Sequence, residues 1–129
     1  MLEMTDQQLD KALAELMGYA VEKEATGGYA LKYNGEDQGK RWMRAVFAWE
    51  QAPDYCTDPA ASLEVQAKAV EVDAASYVQN LQEIKWGYMF TETLLVRIAE
   101  LINASPRERA EAAYMTLSSQ DLHPLREDI

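Results

Sequence analysis

One cysteine and one histidine are all that the 129 residues hold of the two side chains most used for metal binding and nucleophilic catalysis. A lone cysteine excludes an internal disulfide and fits a reducing compartment. A zinc site built on these residue types would lack ligands. A Cys56 nucleophile would find its base only in His123, inside a polar terminal stretch. No run approaches the roughly 18 apolar residues of a membrane span. The opening MLEMTDQQLD has no apolar stretch, so no signal peptide is expected. Basic residues are few: 12 Lys and Arg stand against 22 Asp and Glu, a net charge of -10. The acids are spread along the chain, a field that repels nucleic acid and anionic lipid. Basic partners and metal ions remain compatible with it.

What is present suits a packed domain. The composition is 48% hydrophobic and 26% charged, enough apolar material for a core without staples. We expect a single α+β domain over residues 1–118 and a polar tail over 119–129. Thr5 and Gln8 have the spacing of a capping box, and Leu9, Leu13, Leu16 and Ala20 recur at helical period, with Gly18 as the stop. The period then changes to two: residues 19–24 and 29–34 alternate and read as strands, turned by Gly27-Gly28 and Asn34-Gly35. RWMRAVFAW (41–49) suits a third, half-buried strand, and the polar GEDQGK before it reads as a mobile link. Helical signals return at Asp58-Pro59, with Leu63, Ala67 and Val70 as the apolar stripe and Glu64–Lys68 as a surface pair. Residues 73–85 continue at helical spacing through Tyr77 or Val78, Leu81 and Ile84. WGYMF (86–90) fits a short strand or a buried loop. LLVRIAELI (94–102) reads as a helix, with strand as the alternative. Ser105-Pro106-Arg107-Glu108 starts a last helix whose buried face is Ala110, Ala113, Tyr114 and Leu117, with Arg107–Glu111 pairing outside. His123-Pro124 breaks the chain in the tail.

The densest chemistry lies in PDYCTDPAAS (53–62), which places two carboxylates, a thiol, a phenol and hydroxyls close together. No calcium-loop spacing accompanies Asp54 and Asp58. The stretch reads first as a helix start: Asp58 or Thr57 accepts the free amides of the first turn, and Pro53 and Tyr55 fix the approach. Trp49 to Ser62 (WEQAPDYCTDPAAS), Asn103 to Tyr114 (NASPRERAEAAY) and Asp10 to Tyr19 (DKALAELMGY), each a short motif and specific only together, resemble the phage ABA-sandwich domain family of small phage and prophage proteins. The resemblance implies a compact α-β-α sandwich with a small, mostly antiparallel sheet and three to five helices, in the cytoplasm of a bacterial host. It carries no activity and no catalytic residues to this chain. Residues 74–102 read helical where most members have strands.

These observations favour a non-catalytic accessory or binding protein that modulates or inhibits a host component, such as a defence factor. Partners would be a host or phage protein, another copy of the chain or a nucleotide-like ligand, with no cofactor, no nucleic acid and no membrane. The candidate binding residues are Tyr33, Arg41, Trp42, Arg44, Trp49, Asp54, Tyr55 and Asp58. Trp42, Trp49, Trp86, Tyr88 and Phe90 either fill the core or form a contact surface. Lys32, Lys40, Arg41 and Arg44 gather beside aromatics around YALKYNG and RWMRAVFAW, the expected sheet edges and the expected surface for self-association. The alternative is a small carboxylate- or metal-dependent hydrolase that uses Asp54 and Asp58.

Overall fold

Local capping chemistry decides where the helices begin. The computed structural model describes residues 2–87 and 95–122. In α1 (Asp6–Leu16) the Gln8 amide donates to Thr5 Oγ1 at 3.1 Å and the Thr5 amide donates to the Gln8 side chain at 2.9 Å, the expected capping box. Gly18 follows with φ of 107°, a backbone conformation that favours glycine, and a Cβ there would press on the end of the Asn34 side chain. The chain then forms β1 (Tyr19–Lys23), β2 (Tyr29–Tyr33) and β3 (Glu36–Asp37), an antiparallel sheet in the order β1-β2-β3. Asn34 and Gly35, both at positive φ, make the tight turn that pairs Tyr33 with Glu36. Part of GEDQGK is therefore a strand and not a mobile link.

The expected third strand at 41–49 does not form. Trp42 makes one isolated bridge to Tyr29, and the chain then turns into a short helix, α2 (Ala45–Trp49). β3 already holds the far half of β2, and Ala45 and Ala48 suit a helix. The strand YALKYNG is also not an edge: β2 is central, between β1 and β3.

Asp58 caps α3 (Pro59–Trp86) by accepting the Ala60 amide at 3.1 Å, with Pro59 at the first helical position. Asp73, at φ -160° and ψ 88°, interrupts the helix and restarts it: its carboxylate accepts the Ser76 amide and hydroxyl. α4 (Leu95–Ile102) is helical, as LLVRIAELI suggested, so the described parts of 74–102 contain no strand. α5 (Pro106–Leu122) opens with the expected Ser105–Glu108 box and continues past residue 118, where the tail was expected to begin. Tyr88, Phe90 and the His123-Pro124 break lie outside the described residues.

Among the described residues the chain is thus an α+β fold of five helices and one small antiparallel sheet. Its core gathers Leu9 and Leu13 of α1, Ala61, Val65, Ala69, Tyr77 and Leu81 of α3, and Ala110, Ala113 and Leu117 of α5. The stripe of α3 is out of phase with the sequence reading: Leu63 is 48% exposed, Val70 is exposed, and Ala61, Val65 and Ala69 face inward. Arg107–Glu111 is not an outside pair either. Glu111 is fully buried, accepts the Leu2 amide at 2.7 Å and lies 3.5 Å from Arg107, whose remaining donors reach Asp6 and the Met4 carbonyl at 2.7 Å. The segment before α1 covers this side of α5.

Two substitutions distinguish the observed phase of α3 from the expected one. Leu81→Ala should lower unfolding stability by about 2–5 kcal/mol, whereas Leu63→Ala should stay within about 0.5 kcal/mol. Chemical denaturation reads both, and equal losses would contradict the observed burial. Ser105→Ala, which removes half of the α5 box, should cost about 0.5–2 kcal/mol in the same measurement.

Candidate functional site

The stretch 53–62 is a turn leading into a helix, and the way it is anchored helps to build an open groove against α1. After α2 the chain turns back, with the Gln51 and Ala52 amides donating to the Ala48 and Trp49 carbonyls at 3.1 Å. The Asp54 carbonyl accepts the Thr57 and Asp58 amides, closing the turn that presents Asp58 to α3. This loop is pinned to α1 through Cys56, whose amide donates to Asp10 Oδ1 at 2.9 Å. The Cys56 thiol points to the Asp6 carbonyl at 3.7 Å, and Arg107 Nη1 lies 3.9 Å from the sulfur.

Between α1 and the α2 segment lies an open groove of about 620 Å³, within the usual size of a ligand site. One wall is Gln7, Gln8, Asp10 and Lys11 of α1; the other is Val46 and Trp49 of α2, continued by Glu50 and Asp54. The Lys11 ammonium lies 5.3 Å from the centre of a Trp49 ring, a cation–π contact across the groove. Three carboxylates (Asp10, Glu50 and Asp54) thus line the groove with one ammonium.

Burial holds the Asp10 carboxyl above its usual range; the hydrogen bonds from Cys56 offset part of this, and the charges of Asp54 and Asp6 add to it. Burial, followed by the acceptor Asp10, also pushes the Cys56 thiol far up, the reverse of what a nucleophile needs. Among the described residues no group of three or more His, Cys, Asp or Glu side chains is placed to hold a metal ion. No described helix is long and apolar enough to cross a membrane.

Of the residues singled out in the sequence, the structure brings only Trp49 and Asp54 into the groove. Tyr55 is 1% exposed and belongs to the core, where burial raises its phenol. Asp58 is used as the α3 cap. Tyr33 stacks on Tyr19 across the sheet at 4.5 Å, and Trp42 bridges to Tyr29. Arg44 lies 5.8 Å from the Phe47 ring. Two of the four residues of the basic strip are ion-paired: Lys32 lies 3.6 Å from Glu22 and 3.5 Å from Glu24, and Arg41 lies 2.9 Å from Asp37. Trp42, Trp49 and Trp86 are each half-buried, so none is a true core residue. Asp10, Lys11 and Glu50 were missed as site residues. Asp10 and Lys11 lie in the Asp10–Tyr19 segment, which reaches the loop and Trp49 through tertiary contacts, Cys56 to Asp10 and Lys11 to Trp49.

Comparison of the chain with protein-family models, with curated proteins and with solved structures finds no match.

The raised Asp10 pKa has a signed consequence. Ionising Asp10 is harder in the fold than in the unfolded chain, so the cost is absent in acid and grows as pH rises through the carboxylate range. Asp10→Asn keeps an oxygen for the Cys56 amide and should melt above the parent at about pH 7, with the gap closing by about pH 3. A lower melting point at neutral pH, or a gap independent of pH, would contradict this reading.

Proposed function

We propose that the chain is a non-catalytic binding protein that receives a basic segment of another protein in the α1–α2 groove. The observation that carries this reading is the Lys11–Trp49 contact inside an otherwise acidic groove. It supports a site where an ammonium or guanidinium meets an aromatic face, with Val46 beside it for an apolar neighbour. Asp10 strengthens the reading, because a carboxylate whose ionisation costs the fold gains most when a cation arrives. The overall charge of -10 favours encounter with a basic partner. The resemblance carried by residues 10–19, 49–62 and 103–114 supports a bacterial-host setting, in which a phage product modulates a host component in the cytoplasm.

The test uses short synthetic peptides, each with one Lys or Arg between apolar residues, added to isotopically labelled protein and followed by NMR. Saturable shifts at Asp10, Lys11, Trp49 and Asp54 are expected for basic peptides, weakening by about tenfold in Trp49→Ala, a loss on the scale of one cation–π contact and its packing. Their acidic counterparts should leave these resonances in place. Equal response to basic and acidic peptides, or shifts confined to other surfaces, would overturn the proposal.

A further inference from the structure

Among the described residues the outer edge of β1 holds a complete set of unused backbone groups, remote in kind from the groove chemistry. The Tyr29 amide and carbonyl both bond to Trp42, so they point away from β1, and the Lys23–Tyr29 pair exchanges no hydrogen bonds. Such pairs alternate along an antiparallel ladder. The ladder to β2 is therefore carried by Ala20 and Glu22, flanked by the Gly18 carbonyl, which accepts the Asn34 amide, and the Glu24 amide, which donates to Gly28. The amides and carbonyls of Tyr19, Val21 and Lys23 face outward, and none has a hydrogen-bond partner among the described residues. The opposite side of the sheet differs: the outer side of β2 is taken by Trp42 at one end and β3 at the other.

We propose that β1 pairs with β1 of a second copy of this chain, antiparallel about Val21, so that two three-stranded sheets become one. In this register Val21 of each copy exchanges both of its hydrogen bonds with the other Val21. Tyr19 of each copy does the same with Lys23 of the other. All the outward groups are used, and none is left over. Side chains agree with the register: valine faces valine, the Tyr19 ring faces an ammonium, and Ala20 faces Glu22, so no like charges are opposed. Centring the pair on Lys23 would oppose lysine to lysine, and centring it on Tyr19 would run the strand into the end of α1. An edge of five residues without proline or bulge is what strand addition requires. Because each copy carries a charge of -10, long-range repulsion opposes the encounter and added salt strengthens the dimer.

Sedimentation equilibrium at low and moderate salt measures the assembly, and residue-resolved amide exchange at dilute and concentrated protein locates it. The expected result is a dimer favoured by concentration and by salt, in which the amides of Tyr19, Val21 and Lys23 slow by about tenfold or more. Val21→Pro removes an outward amide without touching the β1–β2 ladder, and should be monomeric with an unchanged far-UV spectrum. If that variant does not fold, exchange in the parent protein decides alone. A monomer at every concentration would overturn the proposal, as would a dimer with these amides unprotected or a folded Val21→Pro dimer. Protection in a monomer would place another segment of the same chain on this edge, and would overturn it too.

Discussion

The close approach of α3 and α5 is the contact on which the other elements depend. Both helices present small residues to it, with Ala61, Ser62 and Ala69 on one and Ala110, Ala112 and Ala113 on the other, all buried. Small side chains let the two backbones come near, and the gain is spread over many van der Waals contacts rather than held by a few large groups. Polar pins fix the register. Arg109, 8% exposed, donates to Ser62 Oγ at 2.9 Å and to the Ala104 carbonyl, tying α5 to α3 and to the end of α4. Further along, Asn80 donates to Thr116 Oγ1 at 3.0 Å, and Thr116 returns its proton to the Ala112 carbonyl. Buried polar groups cost stability unless paired, so each pin penalises a slipped arrangement of the two helices.

Once α5 is placed, it places α1. Glu111 and Arg107 hold the segment before α1, and Leu9, Leu13 and Ala14 complete the core. Asp10 and Lys11, on another side of the same helix, are thereby turned toward the α2 segment. Asp10 then serves two purposes at once: it anchors the loop through the Cys56 amide and gives the groove a carboxylate that is costly to ionise. A group that stabilises position while storing an electrostatic cost is a frequent arrangement at binding sites. The hairpin formed by β1 and β2 lies beside this core, closed on one side by β3 and Trp42 and, among the described residues, open along β1.

Features written in neighbouring residues were legible from the sequence, and those set by distant residues were not. The two capping boxes, the Asp58-Pro59 helix start and the Asn34-Gly35 turn all form, because each needs only residues three or four positions apart. The 41–49 segment misled because a short apolar run does not distinguish strand from helix, and the competition with β3 is tertiary. The stripe of α3 misled because alanines occur on several sides of the helix, so the larger Leu63 and Val70 dominated the reading while α5 selected the small face. Arg107–Glu111 has the spacing of a solvent-facing pair, and nothing local reveals that Leu2 covers it. Half of the candidate site followed the same division. Trp49 and Asp54 were visible beside one another, whereas Asp10 and Lys11 join them through contacts with Cys56 and Trp49 that span about forty residues of sequence.

The central claim, that small-residue contact between α3 and α5 organises the molecule, is tested most directly by enlarging one alanine inside the seam and one outside it. Ala113→Leu should destabilise the fold by about 1–3 kcal/mol in chemical denaturation, because the added methylenes have no space between the helices. Ala67→Leu, on the exposed side of α3, should stay within about 0.5 kcal/mol. Equal tolerance of leucine at the two positions would show that α3 and α5 are not closely packed there, and would contradict the account.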